Sequence, residues 1–320
     1  MLSSVRRCAV VAHFDASRAL APHFRHTLDE IVAVTDRVVL VSTSGVDENG
    51  RRWLRSRRSI EFLERPNIGY DFKSLQAGFE ALGEVGDAEI LFCNDSIIGP
   101  LLPLDVVFRT MTSRGLDFWG MTRSVERASH IQSYFMVFTP EVVRSPVFRQ
   151  FWVDFGTPAD RAEAIDKGEL RLTTLLEGHG FSSGAYFEPT ASDVVLANQR
   201  YAHMALPDSI ATGSARTWWE RTWRSRSTSA HALLFNPTIA LADAALDGRL
   251  PLLKIEAARL DPWELGGRAL GVHLADRHSR MFEDVFEYFS RTDSVYAGRY
   301  GRRRLREKHP EIFDEVRYRY

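Results

Sequence analysis

The sequence predicts an α/β fold in which a mostly parallel sheet is flanked by helices, followed by a mainly helical C-terminal region. In the first two thirds of the chain, short and nearly continuous apolar runs alternate with segments whose apolar residues recur at helical spacing. Continuous apolar runs are typical of strands that are covered on both faces, as they are in parallel sheets. Repetition of strand, helix and strand implies right-handed βαβ units.

Four apolar runs are the expected core strands, and amphipathic segments between them are the expected helices. The strands are predicted at residues 8–14, Arg37–Ser42, 60–63 and 89–93. The first helices are predicted at residues 20–34 and 72–82. Further along, residues 117–121 and 133–138 are aromatic-rich candidate strands, and residues 141–155 and 169–177 are candidate helices.

The composition changes after Pro189, and the pattern from there to the end is mainly helical. We therefore expect an α/β core over residues 1–200 and a helical extension over residues 201–320 that packs on it. The formal net charge of −1 argues against a nucleic-acid binder, because such proteins usually carry a basic excess. The sequence also has no phosphate-binding P-loop, no G-x-S-x-G elbow and no zinc-type spacing of cysteines and histidines.

The two cysteines, Cys8 and Cys93, lie inside apolar runs, which predicts free, buried thiols and a reducing, cytoplasmic compartment. No stretch approaches the roughly 18 apolar residues that a membrane span needs. Residues 218–226 are rich in tryptophan and arginine, and residues 298–308 are basic. Two interpretations stay open for them. Either they contact the inner face of a membrane peripherally, or the tryptophans pack on the core and the arginines face solvent.

Polar residues collect after the predicted strands. In parallel sheets, ligands bind beyond the carboxyl ends of the strands, so these residues mark the expected site. They are His13 and Asp15 after the first run, Asn67, Gly69 and Asp71 after the third, and Asn94, Asp95 and Ser96 after the fourth.

Two of these acids have competing structural interpretations. Asp95 ends a buried strand and can hold a divalent ion that bridges phosphates, but Asn94-Asp95-Ser96 is also a favourable turn. Asp71 can accept a hydrogen bond from a nucleoside, or it can cap the following helix.

Two further residues are candidates for chemistry. Glu169 stands at the predicted start of a helix, where a carboxylate is favoured regardless of function, although it can also serve as a general base. Lys254 follows an apolar stretch and can either reach a diphosphate or pair with Glu256.

Taken together, these segments resemble the rhamnan synthesis protein F family, a group of bacterial glycosyltransferase-like proteins of polysaccharide assembly. The resemblance covers roughly residues 8–262. The matching motifs are Asn67-x-Gly69-x-Asp71-Phe72, Asn94-Asp95-Ser96-x-x-Gly99-Pro100, Phe118-Trp119-Gly120, Gln132-Ser133-Tyr134-Phe135, Glu169-x-x-Leu172-Thr173, Asn236-Pro237-Thr238 and Pro251-Leu252-Leu253-Lys254.

The resemblance implies a GT-A-like fold, a nucleoside-diphosphate sugar donor and a role in making rhamnose-containing surface polysaccharide. It implies that Asp95 holds a divalent metal, Mn²⁺ or Mg²⁺, or the diphosphate, and that Lys254 helps to neutralise that diphosphate. It implies that Glu169 deprotonates a glycan or lipid-linked acceptor, with His130 and Asp117 as the next candidates. In similar inverting enzymes a second acid is expected where Gly168 stands.

The reaction implied is transfer of a deoxyhexose, with L-rhamnose as the leading sugar. The alternative is a degenerate transferase fold that binds a glycan or organises an assembly without catalysis. The single acid at Asp95 and the missing acid at Gly168 keep this alternative open.

Overall fold

The computed structural model describes residues 5–205, 236–259, 267–282 and 284–296 of the chain. The strands are β1 (Arg7–His13), β2 (Arg37–Ser42), β3 (Ile60–Glu64), β4 (Glu89–Asn94), β5 (Ile97–Ile98), β6 (Phe118–Ser124), β7 (His130–Ile131), β8 (Phe135–Phe138), β9 (Ser183–Phe187) and β10 (Leu253–Lys254). The first helices are α1 (Pro22–Val34), α2 (Glu48–Arg55), α3 (Tyr70–Leu82), α4 (Leu104–Thr112), α5 (Pro140–Arg144), α6 (Pro146–Asp154) and α7 (Arg161–Ala164).

A π-helical turn (Ile165–Leu170) connects α7 directly to the next helix. The later helices are α8 (Arg171–Gly178), α9 (Ala191–Ala205), α10 (Pro237–Ala240), α11 (Ile255–Arg259), α12 (Gly267–Arg277), α13 (Ser279–Phe282) and α14 (Val285–Tyr296), with a 3₁₀ turn at Ala242–Ala245.

The main sheet has the strand order β3-β2-β1-β4-β8-β6, and both β7 and β9 pair with β6. Strands β1 to β4 are mutually parallel, β8 runs antiparallel between β4 and β6, and β9 is parallel to β6. The expected mostly parallel sheet flanked by helices is therefore confirmed. Two reversed strands, β8 and the short β7, are the feature that the apolar pattern alone does not predict.

The apolar run of β1 is continuous because both faces of the strand are covered. Ala9 and Val11 belong to the core beneath α1 and α4, whereas Val10 and Ala12 belong to the core beneath α3 and α6. A third apolar cluster forms around α10 to α14. Cys8 and Cys93 are buried and unbridged on the neighbouring strands β1 and β4, so the prediction of free, buried thiols is confirmed.

The helix predicted over residues 141–155 is in fact two helices, and the break has a local cause. Pro146 begins α6, and a proline disfavours helical backbone at the residue before it. Ser145 is accordingly extended, and its hydroxyl accepts a hydrogen bond from the backbone N–H of Phe148 at 3.3 Å. The serine therefore caps α6.

The C-terminal region contributes directly to the core. Strand β10 pairs antiparallel with β5, which lies just after β4. Two ion pairs connect α9 to the segment that follows α10. The Arg200 guanidinium lies 2.7 Å from the Asp243 carboxylate, and the Arg249 guanidinium lies 2.8 Å from the Asp193 carboxylate. Whether residue 200 separates two folding units stays a prediction.

Among residues 5–205, 236–259, 267–282 and 284–296, no helix is both long and apolar enough to cross a bilayer. The segments 218–226 and 298–308, for which a peripheral membrane contact is one of two predictions, lie outside the described residues.

Candidate functional site

The carboxyl ends of the parallel strands open into a cavity of about 390 Å³. His13 from β1 and Asp95 after β4 line it from the sheet, and Asp71 lines it from α3. The helical segment that carries Arg161 and Glu169 forms another part of the wall, as do residues 254–256. The volume lies within the range of small-molecule sites, and the position is the one that the strand order favours for a ligand.

Asp71 and Asp95 are brought together through Asn94. The Asn94 side chain donates from Nδ2 to Asp71 Oδ2 at 2.9 Å, and its Oδ1 accepts from the Ser96 N–H at 3.1 Å and the Ser96 hydroxyl at 2.5 Å. Asp95 Oδ2 accepts from the backbone N–H of Phe14 at 2.6 Å, which connects the ends of β4 and β1. The predicted Asn94-Asp95-Ser96 turn and the predicted acidic site are thus the same structure.

The environment of these two acids disfavours their negative charge. Burial raises the pKa of Asp95 well above its usual range, and the neighbouring charge of Asp71 raises it further. Asp71 is exposed to the cavity, yet crowding by the surrounding protein raises its pKa against the opposing effect of Lys254. Perturbed carboxylates in a cleft are typical of functional sites.

Asp71 is not the helix cap. The N-cap of α3 is Gly69, with a φ of 80°, and Tyr70 follows with a φ of 60°. A Cβ at Gly69 would lie 2.3 Å from Lys73 Cγ, so both its conformation and its contacts require glycine. Asn67, Tyr70 and Asp71 line the cavity, whereas Gly69 shapes the turn that presents them.

His13 and Asp15 follow β1 but play different parts. His13 lines the cavity, its Nδ1 lies 3.0 Å from the Ser42 hydroxyl, and burial lowers its pKa to about 4. Asp15 is buried, and its Oδ1 accepts from the N–H and hydroxyl of Ser17 at 2.7 and 2.5 Å. Asp15 therefore stabilises the turn after β1 and does not line the cavity.

Lys254 reaches the site because of strand pairing between distant segments. Lys254 is opposite Ile97 in the β10–β5 pair, and the N–H of Ile255 donates to the Ser96 carbonyl at 2.9 Å. Its ammonium lies 5.3 Å from the centre of the Tyr134 ring and lines the cavity. The alternative expectation, an ion pair between Lys254 and Glu256, is not seen. The Glu256 carboxylate lies 3.9 Å from the Arg161 guanidinium instead.

Glu169 faces the same cavity from the π-helical turn. Its Oε1 accepts from the backbone N–H of Ser133 at 2.6 Å and lies 4.0 Å from His130 Nε2. The other ring nitrogen of His130, Nδ1, lies 2.7 Å from the Ala128 carbonyl oxygen. A carbonyl only accepts, so Nδ1 carries the proton of that hydrogen bond and Nε2 is turned towards Glu169. His130 lies behind Glu169 and does not itself line the cavity.

The predicted start of this helix at residue 169 is wrong. The helical segment begins at Arg161, where Asp160 caps it by accepting from the Glu163 N–H at 2.9 Å. Glu169 is therefore two turns inside the segment. Its position is not explained by a general preference for acids at helix starts, and π-helical turns are frequent at functional sites.

Asp117 is not brought to the cavity. It precedes β6, and because β6 is parallel to β4, the start of β6 lies at the opposite edge of the sheet. Its Oδ2 accepts from the N–H and hydroxyl of Ser182, both at 2.7 Å. This corrects the expectation that Asp117 is a catalytic candidate and gives it a structural role at the start of β6.

The structure adds cavity residues that the sequence reasoning missed, above all Arg161, Glu256 and Tyr288. Arg161 had a signal only if the helix begins at that residue, because its spacing of eight residues from Glu169 then places both on one helix face, whereas the predicted helix begins at residue 169. Tyr288 had none, because nothing in the sequence shows that α14 packs beside the site.

The two acids fit a divalent ion that also contacts a bound phosphate. Asp71 and Asp95 are close enough for the charge of one to raise the pKa of the other, and a cation relieves such repulsion. No group of three or more acidic, histidine or cysteine residues in the described part of the chain is arranged to hold an ion. Mg²⁺ commonly binds through one or two carboxylates together with substrate phosphates, so the pair is a suitable ligand set.

The strand order and the position of the cavity define an α/β protein whose candidate site lies at the carboxyl ends of parallel strands. The chain belongs to the rhamnan synthesis protein F family, whose sequence pattern matches residues 38–211, more than half of its length.

Curated relatives match part of the chain. Virulence protein VirA of Vibrio anguillarum is 32% identical over 125 residues, which is 37% of this chain and 40% of VirA. Uncharacterized protein y4gN of Sinorhizobium fredii is 30% identical over 159 residues, or 48% of this chain and 41% of that protein. The matches thus span about two fifths of the length of these relatives.

Two solved structures show a loose likeness of overall fold. Mannosyltransferase PcManGT from Pyrobaculum calidifontis, in complex with GDP-Man and Mn²⁺, is 16% identical with a TM-score of 0.41, over 91% of this chain and 87% of that one. Glucosyl-3-phosphoglycerate synthase from Mycobacterium tuberculosis, in complex with Mn²⁺, UDP and phosphoglyceric acid, is 14% identical with a TM-score of 0.31, over 43% and 57%.

Proposed function

We propose that this protein transfers a deoxyhexose, with L-rhamnose as the leading sugar, from a nucleoside diphosphate to a hydroxyl group of a surface polysaccharide or lipid-linked glycan. The observation that carries the proposal is that one cavity contains both a charged cluster suited to a diphosphate and a separate, backbone-held glutamate. The cluster is Asp71, Asp95 and Lys254, and the glutamate is Glu169. Family membership supports the class of reaction and the polysaccharide context.

On the donor side, the proposed contacts follow the strand ends. His13 and Asn67 line the cavity and are the proposed contacts to the nucleoside. Burial keeps the His13 ring neutral at physiological pH by lowering its pKa to about 4. Lys254 supplies a compact positive charge to the phosphates. A divalent ion bound at Asp95 and Asp71 would add further positive charge at the same place.

On the acceptor side, Glu169 is the proposed general base. The carboxylate takes the proton of the acceptor hydroxyl while the hydroxyl oxygen bonds to the anomeric carbon of the sugar. The bond from that carbon to the phosphate oxygen breaks, and its electron pair leaves with the nucleoside diphosphate. Positive charge that is already positioned lowers the cost of this developing negative charge. The Ser133 N–H holds one carboxylate oxygen and keeps the group orientated.

The test is release of nucleoside diphosphate from a panel of UDP, GDP and dTDP sugars that includes dTDP-L-rhamnose. Each donor is assayed with Mn²⁺, Mg²⁺ or EDTA, with and without a lipid-linked glycan acceptor. We expect release to be fastest with a deoxyhexose donor and acceptor together. Binding of the donors without any turnover would contradict the proposal and favour a non-catalytic sugar-nucleotide-binding module.

A further inference from the structure

Two cations approach the acidic centre of the cavity from different parts of the chain. Lys254 is the last residue of β10, and Arg161 is the first residue of α7. Both are close enough to Asp71 for their charges to lower its pKa, although the effect of burial is larger and in the opposite direction. A negatively charged ligand beside Asp71 would therefore lie within the field of both.

Arg161 also shares a helix face with the proposed base. The cavity-lining residues of this segment are Arg161, Ala164, Ile165 and Glu169, at spacings of three, four and eight residues. These spacings define one face of a helix. The segment can therefore contact the donor near its start and the acceptor two turns later.

One partner of Arg161 in this structure is Glu256, on α11. The guanidinium and carboxylate are 3.9 Å apart, and the two side chains are 55% and 20% exposed. A long ion pair of this kind, with the arginine exposed to solvent and the glutamate half-buried, contributes little to stability. Charge-assisted, forked hydrogen bonds from arginine to phosphate are considerably stronger.

We propose that Arg161 is a second ligand of the donor diphosphate, and that it gives up its ion pair with Glu256 when the donor binds. This inference rests on the proposed function, because it assumes that a nucleoside diphosphate occupies the cavity. Glu256 then acts as an internal competitor for the guanidinium. The donor must displace a weak pair to gain a stronger one, so Glu256 sets the donor affinity without contacting the donor.

The experiment is isothermal titration of wild type and variants with UDP, GDP, dTDP and inorganic pyrophosphate. Arg161→Gln is expected to weaken diphosphate binding about tenfold or more, as is usual for loss of a charged hydrogen bond. Arg161→Lys keeps the positive charge but loses the forked hydrogen bonds. Its diphosphate affinity is expected to lie between those of wild type and Arg161→Gln. Arg127→Gln is the matched control: Arg127 pairs with Asp166 of the same helical segment at 2.6 Å but does not line the cavity.

A double-mutant cycle tests the competition. Glu256→Gln alone is expected to tighten diphosphate binding by about twofold to fivefold, the range of an exposed ion pair. In the Arg161→Gln background this gain should disappear. An equal gain in both backgrounds would show that Glu256 acts only through its general negative charge and would overturn the exchange.

The outcomes separate this inference from the proposed function. If wild type binds none of the diphosphates, the proposed function fails and the inference fails with it. If wild type binds a nucleoside diphosphate and Arg161→Gln binds it as tightly as Arg127→Gln does, only the role of Arg161 is overturned. Thermal unfolding of each variant verifies that the exposed substitutions leave the fold intact.

Discussion

Gly168 lies directly against the ring of Phe72. A Cβ at Gly168 would stand 2.6 Å from Phe72 Cδ2, closer than side-chain carbons approach one another. Phe72 follows Asp71 in sequence, and Gly168 precedes Glu169. The contact therefore helps to set the distance between Asp71 and Glu169, which both line the cavity. The second acid expected from similar enzymes would overpack against this ring if it stood at residue 168.

Gly168→Ala is expected to lower both stability and turnover. Overpacking against Phe72 costs roughly 1–3 kcal/mol, and the better helix propensity of alanine offsets about 1 kcal/mol of that. Chemical denaturation and a turnover assay measure the two effects. Gly178→Ala in the same helical segment is the control, because a Cβ there meets no atom within 4 Å. Equal behaviour of the two variants would mean that the Phe72 contact does not position Glu169.

The fold was largely predictable because the parallel strands are covered on both faces. Their apolar runs mark β1 to β4 to within about one residue, as the predicted and observed bounds show. The reversed strand β8 was predicted as a strand but not as reversed, because strand direction depends on pairing between segments far apart in sequence. The break at Ser145 could have been inferred from Pro146.

The site was predictable where it follows a strand end and not where it depends on tertiary packing. Asn94, Asp95 and Asp71 are found together, as the rule for parallel sheets requires. The same rule predicts Asp15 near the site, but Asp15 holds a turn instead. Asp117 was a candidate from the family resemblance alone, and it lies at the far edge of the sheet. The approach of Arg161 and Tyr288 depends on contacts that no local pattern records.

Asp95→Asn is expected to abolish turnover while changing the melting temperature by only a few degrees. The asparagine side-chain oxygen can still accept from the Phe14 N–H, so the link between β4 and β1 is kept. A loss of about 1 kcal/mol shifts the melting temperature by roughly 2–4 °C in a chain of this size. Asp105→Asn, at an exposed position of α4, is the control. Failure of Asp95→Asn to fold would make Asp95 a structural residue.

The protein is expected to lose stability in mild acid because the buried His13 ring resists protonation. Burial lowers its folded-state pKa from 6.5 to about 4, so between these values the unfolded chain binds a proton that the folded chain does not. Stability contributed by the neutral ring is therefore present above pH 6.5 and is lost as the pH falls towards 4, by up to about 3 kcal/mol. The pH dependence of unfolding should be flatter for His13→Gln than for wild type. Parallel curves would contradict the buried, neutral ring.

The membrane expectation for residues 218–226 and 298–308 is tested by flotation with anionic vesicles. Each basic residue near such a surface contributes about 1 kcal/mol at low ionic strength, so binding should vanish in high salt. Replacement of Arg302, Arg303 and Arg304 by glutamate should abolish it, whereas the same change at Arg51, Arg52 and Arg55 of α2 should not. Absence of binding at low salt would favour packing of the tryptophans on the core.

The central claim is that Glu169 is a general base beside a separate donor site, and Glu169→Gln tests it most directly. Glutamine keeps an oxygen to accept from the Ser133 N–H but cannot take a proton at neutral pH. Turnover is measured by nucleoside diphosphate release and donor affinity by calorimetry, on the same preparation. The account predicts that turnover falls by about a hundredfold or more, with donor affinity within about twofold of wild type. Near-normal turnover with intact donor binding would contradict it.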